Sequence, residues 1–101
     1  MKRVERFSTE FPSDVTSALS HYDAIAIDLG HRFRDAIKST LDDIRERPES
    51  FGYTDPPTRG AMLSRFPYVV VFRVTKNSLQ FGGVFHAASD PSRWQTRMEP
   101  N

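Results

Sequence analysis

The stretch that decides the fold is residues 68–86, YVVVFRVTKNSLQFGGVFH. Near Lys76-Asn77 apolar side chains alternate with small or polar ones, over residues 72–75 and again over residues 78–82, and a period of two residues is typical of β-strands. A turn at Lys76-Asn77 joins the two halves, because two-residue connections are the commonest hairpin loops. The stretch therefore predicts an antiparallel hairpin of strands 68–75 and 78–86.

The turn also fixes which side chains share a face of the hairpin. One face is wholly apolar and is predicted to pack under helices: Tyr68, Val70, Phe72 and Val74 opposite Phe85, Gly83, Phe81 and Leu79. The other face is half polar and is predicted to be the face that is open to a ligand: Val69, Val71 and Arg73 opposite Val84, Gly82 and Gln80, with His86 at its end.

The N-terminal half of the chain predicts a short strand, residues 4–8, followed by a helical hairpin. The first helix would be capped by Thr9 or Ser13 and would carry Pro12 in its first turn. Gly30 is expected to mark the end of that helix or a tight joint between the two helices. Apolar side chains recur at helical spacing on both sides of it, namely Val15, Ala18, Leu19, Tyr22, Ala26 and Leu29, then Phe33, Ala36, Ile37, Leu41 and Ile44.

Pro48 ends the second helix, and the remaining segments follow from turn residues and periodicity. Residues 48–60 are rich in Pro, Gly, Ser and Thr and predict one long loop, and residues 61–64 predict a further strand. Asp90 and Pro91 predict the cap and first residue of a final helical turn that carries Arg93, Trp94 and Arg97. Residues 1–101 together predict a single domain.

Composition excludes several classes of function. The chain has no cysteine, so disulfides, thiol chemistry and Cys-ligated zinc are excluded. Even the apolar stretch Val69 to Phe72 is too short to span a membrane, so no membrane partner is expected, and the absence of cysteine fits a cytoplasmic protein. The three histidines have no metal-ligand spacing, and no phosphate-binding loop is present, so no metal or cofactor is expected.

Charge is distributed unevenly along the chain. Residues 1–55 hold eight basic and eleven acidic side chains, whereas residues 56–101 hold six basic and two acidic ones. Eleven of the fourteen basic residues are arginines, whose planar guanidinium suits phosphate and carboxylate. The basic second half therefore suggests an anionic partner, and an ordinary mixed surface is the alternative.

The order of short motifs in the second half resembles the C-terminal half of the RelE/ParE toxin superfamily, in its ParE-like, plasmid-stabilisation branch. The motifs are Arg65-Phe66-Pro67-Tyr68, Val84-Phe85-His86, Asp90-Pro91, and Trp94 with Arg97. In the first half, His21-Tyr22 and Leu29-Gly30 resemble the helical hairpin of that superfamily. The resemblance covers essentially the whole chain and implies an α+β fold of the order β-α-α-β-β-β, with the helical hairpin on a small antiparallel sheet.

What the resemblance implies is the toxin component of a type II toxin–antitoxin system, which inhibits growth by binding a target such as DNA gyrase. A cognate antitoxin would neutralise it by laying a C-terminal segment over the sheet and helices, as a helix or an added strand. The residues implied for target binding are Arg59, Arg65, His86, Arg93, Trp94 and Arg97. Arg65, Arg93 and Arg97 are expected to be exposed at one end of the sheet and dispensable for folding.

Two alternatives stay open. One is a RelE-like ribosome-dependent mRNA endoribonuclease that would use His86, Arg65 and Arg97 for acid–base work and phosphate stabilisation. Against it, no tyrosine follows Tyr68, and Lys76 is the only lysine of the second half. Residues 87–89 are Ala-Ala-Ser where the superfamily often has two arginines, which removes positive charge from the expected target-binding edge. The other is a degenerate domain that binds an antitoxin without being toxic.

Each of these side chains also has a purely structural interpretation. His86 would be a strand-end histidine hydrogen-bonded to backbone, and Trp94 would pack against the sheet. Arg59 would form an ion pair with Asp55, and the other arginines would be solvated. The cellular target and the oligomeric state are left open.

Overall fold

The computed structural model describes residues 2–98. Along the chain its helices and strands are β1 (Val4–Phe7), α1 (Phe11–Ile25), α2 (Ile27–Glu46), a 3-10 turn (Pro48–Ser50), β2 (Tyr53–Asp55), β3 (Thr58–Met62), β4 (Tyr68–Val74), β5 (Ser78–His86) and α3 (Ser92–Met98). None of the helices in these residues is both long and apolar enough to cross a membrane.

One five-stranded sheet, in the order β1-β5-β4-β3-β2, organises the molecule. β1 pairs in parallel with β5, and the other neighbouring strands are antiparallel. The α1–α2 hairpin covers one face of the sheet, which we call the hairpin face. The short helix α3 packs on the other, which we call the α3 face.

The helical hairpin forms as predicted, but its break lies four residues earlier than Gly30. α1 ends at Ile25 and α2 begins at Ile27, because Ala26 is extended (φ −165°, ψ 139°). Gly30 is buried inside α2, where a Cβ atom would collide with the carboxylate of Asp23. The glycine is therefore the tight helix–helix joint and not the end of a helix.

The start of α1 corrects another expectation. Neither Thr9 nor Ser13 caps the helix, since Glu10 occupies the N-cap position and makes no side-chain capping hydrogen bond. The Ser13 hydroxyl instead donates to the Glu10 carbonyl (2.9 Å). Pro12 lies in the first turn, as predicted, where its missing N–H has no helical partner to lose.

The main core lies between the helical hairpin and the hairpin face. Phe72 and Phe81 are directly paired across β4 and β5, as predicted, and their ring centroids are 6.4 Å apart. The largest fully buried side chains on this side of the sheet are Phe33, Ile44, Val70, Phe72 and Phe81. Burial of such apolar surface is the dominant favourable contribution to folding.

A bulge in β5 overturns part of the predicted register. The pairs from the turn up to Phe72–Phe81 are those expected, but Val71 then pairs with Gly83, and Val70 with Val84. The extra residue reverses the faces of the last residues of β5. Val84 therefore joins the main core, whereas Phe85, predicted to be there, lies on the α3 face.

The α3 face is not the open, half-polar face that the sequence predicted. Val69, Val71, Phe85 and Trp94 form a second buried cluster there. Gly82 lies under Met98, so closely that a Cβ atom would collide with the Met98 sulfur. The seven residues of α3 therefore cover the face of the sheet that was predicted to be open to a ligand.

The segment predicted as one loop, residues 48–60, contains regular structure. β2 lies within it, and β3 begins at Thr58 instead of residue 61. Arg59 holds the segment together, because its Nη1 donates to the carbonyls of Phe51 (2.6 Å) and Glu49 (3.3 Å). Hydrogen bonds from a side chain to backbone carbonyls leave no periodic pattern of hydrophobic residues. The sequence pattern therefore does not reveal this structure.

Candidate functional site

A groove lies where β5 ends, between the first turns of α1 and the helix α3. This strand-end groove has a volume of about 320 Å³. His86, Arg93 and Arg97 all line it, so the structure brings together three of the six residues predicted for target binding. Ser13, Asp14 and Ser17 of α1 form the facing wall, together with Tyr68 and Ser89.

An ion pair between Asp14 and Arg97 forms the floor of the groove. Arg97 Nη1 lies 2.6 Å from Asp14 Oδ2, and only 17% and 15% of the two side chains are exposed. The same Nη1 donates to the carbonyl of Gly82 (3.1 Å), and Asp14 Oδ2 accepts from the N–H of Val84 (3.0 Å). The pair therefore ties α1, the bulged part of β5 and α3 to one another.

This ion pair corrects the expectation for Arg97. Its charge is matched by Asp14, and its guanidinium lies 4.9 Å from the centre of the Phe85 ring. An arginine that is mostly buried and paired on all sides is a structural element and not a dispensable surface cation. Asp14 and Arg97 lie 83 residues apart in the chain, so only the folded structure reveals that they are partners.

His86 is held by its own turn. Its Nδ1 accepts a hydrogen bond from the N–H of Ala88 (3.1 Å), as the structural interpretation predicted. An Nδ1 that accepts leaves the proton of the neutral ring on Nε2, which is then the donor available to a ligand. The ring also contacts the Tyr68 ring edge-on, with centroids 5.2 Å apart, and this contact limits its rotation.

Arg93 provides an exposed positive charge at the rim of the groove. It is exposed, and within residues 2–98 it makes no ion pair. Because a solvated guanidinium keeps all its donors available, Arg93 can bind a phosphate or carboxylate with two parallel hydrogen bonds. It is the side chain in the groove best suited to an anionic partner.

Trp94 packs in the interior, as the structural interpretation predicted. It is 8% exposed, stacks on Phe85 with ring centroids 5.9 Å apart, and donates from Nε1 to the Ser89 hydroxyl (3.1 Å). That hydroxyl in turn donates to the His86 carbonyl (2.6 Å). Trp94 therefore fixes the turn that presents His86 and Arg93.

The predicted cap of α3 is confirmed. Asp90 Oδ1 accepts a hydrogen bond from the N–H of Ser92 (3.0 Å), and this bond holds the pKa of Asp90 below its usual value. The N–H of Arg93 bonds to the Asp90 carbonyl (3.0 Å), so the first turn of the helix is well satisfied. Asp90 thus sets the position of Arg93 at the rim of the groove.

Besides Trp94, two predicted residues do not line the strand-end groove. Arg65 adopts a left-handed backbone conformation (φ 70°), and its side chain lines a different groove with Arg32, Asp35 and Phe66. Its loop nevertheless adjoins the end of β5, since the N–H of Ala87 donates to the Pro67 carbonyl (2.7 Å). Arg59 lies near the opposite end of the sheet and makes no ion pair with Asp55.

These groups define what the strand-end groove can do chemically. It offers one imidazole donor at His86, one free guanidinium at Arg93 and hydroxyl groups from α1. Asp14, the carboxylate in the wall, is already engaged by Arg97. Within residues 2–98, no three His, Asp or Glu side chains are grouped so as to hold a metal ion. A reaction by general acid–base catalysis needs one group that accepts a proton and another that donates one. With His86 as the available titratable group of the groove, the arrangement suits the binding of an anionic surface better than such a reaction.

Comparison with known proteins supports the fold. No family model matches the chain, and no curated protein matches it. Among solved structures, a chain of the chromosomal ParDE TA system from P. aeruginosa matches with a TM-score of 0.62 at 16% sequence identity. The match covers 83% of this chain and 95% of the other. The predicted α+β, RelE/ParE-like fold is therefore confirmed, but its sheet is mixed and not purely antiparallel, because β1 pairs in parallel with β5, and β2 is an addition to the predicted order.

Proposed function

We propose that the protein is the toxin component of a type II toxin–antitoxin system, that it acts in the cytoplasm, and that it inhibits growth by binding a cellular target. The observation that carries the proposal is the fold, which is shared with a chain of a chromosomal ParDE TA system. DNA gyrase is the target that the ParE-like sequence motifs favour. Neutralisation by a cognate antitoxin, and a role in plasmid stabilisation, are parts of the same proposal.

The strand-end groove is the proposed target-binding surface. Arg93 and His86 would contact the target directly, because they present a free guanidinium and a free imidazole N–H at its rim. Arg65, on the adjoining loop, would extend the basic surface towards α2. Trp94 and Arg97 would act by positioning these groups, since both are mostly buried.

The test is inducible expression in a bacterial host, with and without the protein encoded by the neighbouring gene. Growth should stop on induction and resume when the neighbouring protein is co-expressed. Purified protein should raise the amount of cleaved DNA in a gyrase reaction. Normal growth at high expression would refute toxicity and favour a degenerate domain that only binds an antitoxin.

A ribosome-dependent endoribonuclease is the second candidate, and one observation favours it. The Nε2–H of His86 is available to hydrogen-bond to a phosphate or a leaving oxygen, and Arg93 lies in the same groove to stabilise a phosphate. Primer extension on translated messages separates the two candidates. Cuts that follow codon boundaries within minutes of induction would identify the nuclease, whereas intact messages in arrested cells support target binding.

A further inference from the structure

A second basic groove, which the proposed function leaves unused, lies at the other end of the sheet beside the β4–β5 turn. This hairpin-end groove has a volume of about 440 Å³. Its walls carry three cations, one carboxylate and one aromatic ring, namely Arg3, Arg59, Lys76, Glu49 and Tyr53. Because cations outnumber acids in a confined space, the groove favours an anionic ligand.

Arg59 is a fixed cation that forms no ion pair with an acidic side chain of residues 2–98. Its Nη1 donates to the carbonyls of Phe51 (2.6 Å) and Glu49 (3.3 Å), and its Nη2 donates to the Tyr53 hydroxyl (2.8 Å). All three acceptors are neutral, so they hold the guanidinium in place without cancelling its charge. A guanidinium fixed in this way has lost its conformational entropy before any phosphate arrives.

Two further cations surround Arg59. Arg3 Nε donates to the Thr75 carbonyl (2.8 Å), and its Nη2 forms an ion pair with Glu49 (3.2 Å). Lys76 lies exposed in the turn and makes no ion pair within the described residues. Lys76 is therefore a mobile ammonium group that can reach an anion held by Arg59.

Tyr53 adds a planar surface to these charges. The Arg59 guanidinium carbon lies 4.1 Å from the centre of the ring, and 55% of Tyr53 is nevertheless exposed. An exposed aromatic ring beside fixed cations is the combination that binds a nucleobase by stacking and its phosphate by charge. An acidic peptide would make no use of the ring.

We propose that the hairpin-end groove binds a nucleotide unit, with the phosphate between Arg59 and Lys76 and the base on Tyr53. The unit is either a free nucleotide or one residue of a single-stranded nucleic acid, since both present the same phosphate and base. The proposal is independent of toxicity, because its groove shares no lining residue with the strand-end groove.

Binding of adenosine monophosphate and of a short fluorescein-labelled oligodeoxyadenylate to the purified protein tests the proposal. Lys76→Ala and Tyr53→Ala should each weaken binding about tenfold, a factor typical of one lost phosphate contact or one lost stacked base. Lys38→Ala removes an exposed cation of α2 and is the matched control, which should stay within about twofold of the parent. Tyr53→Phe keeps the ring but removes the hydroxyl that accepts from Arg59, so it should lose less affinity than Tyr53→Ala if stacking carries the binding.

The source of the nucleotide follows from the two ligands. Tighter binding of the oligonucleotide, with affinity that falls as salt rises, supports a single strand, whereas equal affinities support a free nucleotide. Circular dichroism spectra identical to that of the parent show that each variant is folded. The proposal is overturned if Lys76→Ala and Tyr53→Ala bind as Lys38→Ala does, or if an acidic peptide binds and both nucleotide ligands do not.

Discussion

The two faces of the sheet are covered in different ways. On the hairpin face, α1 and α2 supply two long apolar stripes over a continuous core. On the α3 face, the seven-residue helix α3 packs its Trp94 on three buried side chains of the sheet. This packing depends on the close contact of Met98 with Gly82 and on the Asp14–Arg97 ion pair. The hairpin face therefore provides most of the stability, whereas the α3 face positions the strand-end groove.

The largest expected effect lies on the hairpin face. Phe81 is 1% exposed and contacts Phe7, Phe11 and Phe72. Phe81→Ala should lower the free energy of unfolding by about 3–5 kcal/mol, because it leaves a large cavity in the main core. Thermal denaturation followed by circular dichroism measures this loss. A melting temperature within a few degrees of the parent would mean that this face is not the main source of stability.

A smaller loss is expected at the ion pair beneath the α3 face. Arg97→Ala should cost about 2 kcal/mol, because it leaves Asp14 buried without its charged partner. The double variant Asp14→Ala with Arg97→Ala should cost less than the sum of the single changes. Chemical denaturation of the four proteins gives the coupling energy. Strictly additive losses would show that the pair does not link α1 to α3.

The contrast between the faces also shows what the sequence could predict. The bounds of β5 and the Phe72–Phe81 pair follow from a period of two and a short turn, which are local signals. The bulge at Gly82 adds one residue without changing composition, so alternation alone does not reveal it. The Asp14–Arg97 pair joins residues far apart in the chain, and only the folded structure brings them together.

The candidate site residues also differ in whether local sequence signals or only the folded structure reveals their positions. His86 and Arg93 share a groove because His86 ends β5 and Arg93 lies in the helix that follows after a short turn, and that proximity could be predicted. Arg65 is only a few residues before β4, but its left-handed backbone turns its side chain towards α2. Backbone conformations of this kind are rare for residues other than glycine, so no pattern in the sequence predicts one at an arginine.

A smaller effect on stability, which depends on pH, is expected at the ion pair between Glu5 of the edge strand β1 and Arg45 of α2. Hydrogen bonds from Arg45 hold the pKa of Glu5 below its usual 4.5. Since the folded state has the lower pKa, the pair stabilises the protein fully above about pH 4.5, and this contribution is lost as the pH falls further. Glu5→Gln removes the ionisable group, so the variant should not lose this contribution to stability as the pH falls. We expect the contribution to be below about 1 kcal/mol, because Arg45 is partly exposed.

Denaturation curves of the parent and Glu5→Gln at several pH values below neutrality test this directly. The difference in stability between the two proteins should shrink as the pH is lowered. Asp42→Asn is the matched control, because Asp42 contacts the same arginine (3.0 Å) but is 62% exposed. A constant difference at every pH would show that the ionisation of Glu5 does not contribute.

Growth after induction of Arg93→Ala tests the central claim, that the free cation of the strand-end groove meets the target. The variant should fold with a stability within about 0.5 kcal/mol of the parent, because Arg93 is exposed and makes no ion pair within residues 2–98. Cells that express it should keep growing, whereas cells that express the parent or Lys38→Ala should stop. A folded Arg93→Ala protein that arrests growth as fully as the parent would contradict the claim and place the functional surface elsewhere.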